Sequence, residues 1–169
     1  MSGHSKWSQI KHKKAITDQK KGQVFSRLSR FITIAAKGGS DPTKNQALSQ
    51  AIERARAENV PKDNIERAIK KAQEKTADLL EEIRVDALGP GGVAIKITAV
   101  TDNRNRTIAE LRKILSDNES KMVHVGSIDW MFSVGPVEIT DTTNLDSLTK
   151  LFDVLDEHDD VEDVIDNLK

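Results

Sequence analysis

Lys6, Lys11, Lys13 and Lys14 crowd the opening stretch 3–14 and enclose Trp7 and His12. Ammonium groups at this density suit phosphate contacts, and an indole offers a flat face on which a nucleobase can stack. Trp7 and Ile10 are the only large apolar residues there. The stretch therefore has no face to bury against a core and is predicted to stay mobile until it meets a partner. The same composition also describes a solvated basic tail that serves solubility alone. Lys20, Lys21 and Arg27 continue the positive charge into the next element, with Arg30 beyond them. A second candidate lies far along the chain, where Thr101-Asp102-Asn103-Arg104-Asn105-Arg106-Thr107 leads into a helix. Arg104 and Arg106 there can hold a phosphate or a protein carboxylate. The alternative is a helix cap made by Asp102 or Asn103, with solvated arginines beside it.

Catalysis and metal binding find little footing. The histidines His4, His12, His124 and His158 are scattered, and no cysteine is present to complete a metal set or a nucleophile–base pair. The acidic residues cluster at 153–166, on and beyond a helix end, and read as a solvated face rather than a paired acid and base. No catalytic residue, metal or cofactor is assigned, and the chain reads as a non-enzyme. The run Gly89-Pro90-Gly91-Gly92 lacks the Gly-Lys-Ser/Thr ending of a phosphate loop, so it reads as a hairpin turn.

The charge is divided along the 169 residues. Residues 1–80 carry 17 Lys and Arg against 8 Asp and Glu, a net of +9. Residues 81–169 carry 9 against 19, a net of −10. A basic half that attracts polyanions is joined to an acidic half that repels them. No long apolar run and no secretory-type apolar core are present, which predicts a cytoplasmic protein without a membrane span.

The elements that must position these residues follow from apolar period. A helix is predicted over 18–37, with Phe25, Leu28, Phe31, Ile32 and Ala35 on one face and Gly38-Gly39-Ser40-Asp41-Pro42 as its stop. A second follows over 45–59 with Leu48, Ile52 and Ala55 inward. A third begins at Pro61 and carries Ile65, Ala68, Ile69 and Ala72. No helix of the three offers an obvious set of side chains aimed at base edges, so a plain bundle is preferred to a helix-turn-helix. After 81 the period changes to two. Strands are predicted at 82–88, 95–99, 128–134, 137–139 and 161–168, with helices at 104–118 and from Asn144. Trp130 is assigned to the core. From Val93 onward this order is β-α-β-β-α-β. The fold class is thus α+β: a mobile tail at 1–16, a three-helix domain at 17–76, and a ferredoxin-like βαββαβ sandwich with an extra N-terminal strand at 82–169.

Three ordered motifs resemble the YebC family. They are Gly3-His4-Ser5-Lys6-Trp7 with Ile10-Lys11-His12-Lys13-Lys14, the stretch Asn59-Val60-Pro61-Lys62-Asp63-Asn64-Ile65-Glu66-Arg67-Ala68-Ile69-Lys70, and Gly89-Pro90-Gly91-Gly92-Val93-Ala94 with the loop 101–107. The family includes bacterial proteins labelled transcriptional regulators and a mitochondrial translational activator. The resemblance implies a nucleic-acid-binding regulator of gene expression. Typical members insert a further small domain before the last helix and strand, and that insert is missing here. Against DNA, the mobile basic tail with one stacking aromatic favours RNA, ribosomal RNA first, with the ribosome as a further partner. A DNA-binding regulator and a protein-interaction scaffold are the alternatives.

Overall fold

The structure, a computed structural model, describes the backbone from residue 18 to 169 and side chains from residue 20. Its described residues divide into two compact units. One holds the residues up to 82 with 100–103, and the other holds 83–99 with 104–169.

The first unit is built on three helices: α1 (Asp18–Ala36), α2 (Gln46–Ala57) and α3 (Lys62–Lys71). Leu28 and Ile32 of α1 bury against Leu48, Ile52 and Ala55 of α2 and Ile65 and Ala68 of α3. Asn45 organises the first turn between helices. Its Oδ1 accepts from the Leu48 amide at 3.1 Å, capping α2, while its Nδ2 donates to the Ala35 and Gly39 carbonyls at 2.8 Å each. The second turn depends on Asn59, whose φ of 60° is left-handed. The Val60 amide then reaches back to the Ala55 carbonyl at 2.9 Å, closing the end of α2 and burying Val60. Pro61 caps α3 from just outside it rather than opening the helix. A short 3₁₀ turn (Lys75–Leu79) follows α3.

The second unit is a four-stranded sheet with its two long helices packed on one face. Its strands are β1 (Glu81–Leu88), β2 (Ala94–Thr101), β3 (Lys121–Val123) and β4 (Val161–Asp166), in the order β3-β1-β2-β4. β1 and β2 form a hairpin through Pro90–Gly92, where Gly91 and Gly92 have φ of 72° and 78°. β3 is antiparallel to β1 and β4 is antiparallel to β2, with Asp86 opposite Val123 and Ile97 opposite Val164. Helices α4 (Arg104–Asp117), α5 (Asp129–Ser133) and α6 (Thr142–Glu157) complete the unit. Leu111 and Leu115 of α4 and Leu148, Leu151, Phe152 and Leu155 of α6 pack on Val85, Ile95, Ile97 and Val164. The helix expected from Asn144 is capped instead by Asp141, whose carboxylate accepts from the Thr143 amide at 2.9 Å.

The α+β class holds, while the strand assignment changes. The expected 128–134 strand is the short helix α5, and Trp130, assigned to the core, is 62% exposed. Ile128, Met131 and Phe132 face inward at i, i+3, i+4, a spacing that the alternating residue types conceal. The place beside β2 is already taken by β1. The strand at 82–88, expected as an addition, is thus the central one, lying between β2 and β3 in a split βαβ arrangement. The expected 137–139 strand reduces to one parallel bridge between Val137 and Leu168. β3, three residues long, was not anticipated. The acidic cluster at 153–166 is not a uniformly solvated face, because Asp160, Glu162 and Asp166 are all buried.

Candidate nucleic-acid interface

Helices α1 and α3 approach each other along short side chains. The buried Thr33 hydroxyl lies 2.9 Å from the Ala68 carbonyl across the contact and 3.0 Å from the Ser29 carbonyl in its own helix. Beside this seam runs a cleft of about 330 Å³, lined by Ser26, Ser29, Arg30 and Thr33 from α1, Asn64, Arg67, Ala68 and Lys71 from α3, and Leu80. Each helix contributes residues at i, i+3, i+4 and i+7, so each presents one continuous stripe to the cleft. Among the described residues that line it, three are cations and none is a carboxylate. Arg67 Nη2 donates to Asn64 Oδ1 at 2.7 Å, which steadies the guanidinium at the rim. Lys71 is exposed one turn further on.

The residues expected at the interface are distributed unevenly. Lys6, Trp7, Lys11, His12, Lys13 and Lys14 lie outside the described residues. Lys20 and Lys21 are exposed near the start of α1. Arg27 is buried, with 8% of it exposed. Arg104 is exposed at the first residue of α4. Arg106 lies two positions on, with Nη2 donating to the buried Asp160 carboxylate at 3.0 Å. The Thr107 hydroxyl donates to the same oxygen at 2.7 Å. Arg106 is thereby held to a carboxylate of its own chain. Arg67 and Lys71 escaped the sequence reading, which traced the apolar faces of both helices and left their polar stripes untraced.

Glu110, His158 and Asp160 offer ligand atoms within 4.8 Å of one another. Those atoms already serve a hydrogen-bond network. The Asp160 amide donates to His158 Nδ1 at 3.1 Å, which leaves Nε2 to donate to Glu110 at 2.9 Å, and Arg106 and Thr107 occupy the Asp160 carboxylate. The arrangement joins α4 to the loop before β4. Among the described residues, no helix is long and apolar enough to cross a membrane.

Comparison with known sequences decides the family. The model of the TACO1/YebC protein N-terminal domain matches residues 5–75, and that of the TACO1/YebC second and third domain matches residues 80–136. The chain belongs to the TACO1/YebC family. A probable transcriptional regulatory protein of Prosthecochloris aestuarii is 52% identical over 134 residues, covering 78% of this chain and 54% of that protein. One from Chlorobaculum parvum is 51% identical over 142 residues, covering 82% and 57%. The chain thus spans about half the length of the curated relatives it matches. Among solved structures, a conserved hypothetical protein from Aquifex aeolicus superposes with a TM-score of 0.84 at 29% identity, covering 98% of this chain and 97% of that one. The family's N-terminal match contains both stripes of the α1–α3 cleft.

Proposed function

We propose that this chain is a non-enzymatic, nucleic-acid-binding regulator of gene expression that acts on RNA, with ribosomal RNA as the leading target and the ribosome as its setting. The observation that carries this reading is the α1–α3 cleft, with three cations and no carboxylate among the described residues of its lining, on the half of the sequence with a net charge of +9. The opening stretch, with Lys6, Lys11, Lys13, Lys14 and Trp7, supplies a second contact set, and Lys20 and Lys21 link the two along the sequence. RNA is preferred to duplex DNA because Arg67 and Lys71 line a recess beside α1. A recognition helix would instead aim such residues outward, into a major groove. The relatives named as probable transcriptional regulatory proteins make DNA binding the second reading.

The test is to crosslink the tagged protein in cells and sequence the attached nucleic acid. Ribosomal RNA fragments are expected to be enriched, and recovery of DNA alone would replace this reading with the second. In vitro, deleting residues 1–14 should flatten the salt dependence of RNA binding. Four lysine–phosphate contacts on a single strand correspond to a log–log slope of about −3. Equal slopes for the intact and deleted chains would remove the opening stretch from the mechanism.

A further inference from the structure

The nucleic-acid reading says that the helical unit binds a strand, and the α1–α3 cleft says which part of the strand enters it. We infer that this cleft seats a backbone phosphate, with its ribose, of a single RNA strand. The inference rests on the reading above and adds a site to it.

Three features of the cleft converge. The first is charge. Arg67 and Lys71 of α3 line a recess in which no described lining residue is a carboxylate, so an anion entering it meets attraction from α3. The second is the form of the donors. Arg67 is tied through Nη2 to Asn64 at 2.7 Å and through Nε to the Asp63 carbonyl at 3.4 Å, and a guanidinium has five N–H donors in a planar fork. The ties fix the plane and leave further donors for phosphate oxygens, the geometry in which arginine outperforms lysine. Lys71 adds a point charge one turn along α3. The third is size and neutral polarity. About 330 Å³ lies at the low end of small-ligand pockets and suits a phosphate with its sugar, not a length of helix. Ser26, Ser29 and Asn64 surround the cations with neutral hydrogen-bonding groups, and the Asn64 amide nitrogen remains to donate once Oδ1 has accepted from Arg67. A 2′-hydroxyl both donates and accepts, and groups of this type distinguish ribose from deoxyribose. A recessed position also favours a flexible single strand over the stiff backbone of a duplex.

The experiment measures affinities of the full chain for a 12-nucleotide oligouridylate, the matching oligothymidylate and a 12-base-pair DNA duplex across a potassium chloride series. Replacing both Arg67→Ala and Lys71→Ala should reduce the magnitude of the oligouridylate slope by about 1.4. That corresponds to roughly 25-fold weaker binding at 0.1 M salt if the affinities meet at 1 M. Arg67→Lys should keep the slope and still weaken binding several-fold, because the charge remains and the fork is lost. Ser29→Ala should weaken oligouridylate binding by roughly two- to tenfold, the scale of one hydrogen bond, and leave oligothymidylate unaffected. The control pair, Lys44→Ala with Arg56→Ala, removes two exposed cations of the same unit that do not line the cleft. If the control lowers slope and affinity as much as the cleft pair, binding is diffuse and the cleft proposal is overturned while the nucleic-acid reading stands. If the duplex binds best and loses most from the cleft variants, the single-strand assignment is overturned. If the unmodified chain binds none of the three probes, both readings fall together.

Discussion

In the helical unit, Arg67 and Lys71 stand exposed along α3 and line a cleft with no carboxylate among its described lining residues; in the sheet unit, Arg106 is joined at 3.0 Å to Asp160, a carboxylate 5% exposed. Lys96, also in the sheet unit, sits between the Asp129 carboxylate and the Phe132 ring, fastening α5 to β2. In these cases the acidic unit uses its cations to tie its own elements together, while the basic unit presents cations to whatever enters the cleft. An arginine's place in a motif does not tell which of these it does. The presence or absence of a carboxylate beside it in space does.

The most severe test of this two-part picture concerns the cores. Ile32 and Leu155 are both fully buried, one in each unit. Ile32→Ala and Leu155→Ala should each cost about 2–5 kcal/mol by removing apolar contact and leaving a cavity. Amide hydrogen exchange should speed up within 20–72 for the first variant and within 83–168 for the second. Loss of protection across the whole chain in either variant would show that the two cores unfold as one, and the comparison would lose its basis.

A smaller effect separates the arginines. Arg106→Ala removes a charge-assisted hydrogen bond to a buried carboxylate, a contact worth about 1.5–3 kcal/mol in general. Its side chain is 44% exposed, so the lower end applies, about 1.5 kcal/mol. Melting should fall by a few degrees while oligouridylate affinity stays unchanged. The Arg67→Ala, Lys71→Ala pair should do the reverse. An Arg106 variant that melts normally and binds poorly would move Arg106 into the interface and erase the contrast.

The sequence revealed most where structure is local. The three helices follow from apolar residues at three- and four-residue steps, and the β1–β2 hairpin follows from alternation on either side of Gly89-Pro90-Gly91-Gly92. The sheet order was harder to read, because the choice of central strand depends on pairing between distant segments. Residues 128–134 alternate by type as well as any strand here, but β1 already holds the central place and Gly126 is fastened by its amide to the Asp86 carboxylate at 2.7 Å. The chain then turns into α5 and leaves Trp130 outside. β3, three residues long, is too short to announce itself. The link from Arg106 to Asp160 crosses 54 positions and leaves no mark on either local pattern. The cleft is an intermediate case. Its two stripes, 26-29-30-33 and 64-67-68-71, have helical spacing and were legible in principle, but their meeting across α1 and α3 was not.

The finest test sets two carboxylates against each other. Asp160 is buried, and its partners come from 53 and 54 positions away. Asp41 is exposed in the turn after α1, and its partner is two positions away. The Thr43 hydroxyl donates to Asp41 Oδ1 at 2.7 Å and the Thr43 amide donates to the same oxygen at 3.0 Å. These bonds favour the ionised carboxylate, the hydroxyl more than the amide, and hold its pKa below the usual 3.8. Thr43→Val removes the hydroxyl and keeps the amide. The Asp41 pKa should therefore rise toward 3.8 and remain below it, as followed by carboxyl carbon NMR during an acid titration. A carboxyl whose folded pKa is depressed adds stability above its unfolded pKa and loses it as pH falls through the folded value. Any difference between the two proteins should thus be present at neutral pH and disappear in acid below that value. Asp41 is fully solvated, so the change belongs to the titration curve and not to the melting temperature. An unchanged Asp41 pKa would show that the amide alone sets it; a drop in melting temperature like that of Arg106→Ala would show that this local turn bears as much of the fold as the long-range link to Asp160.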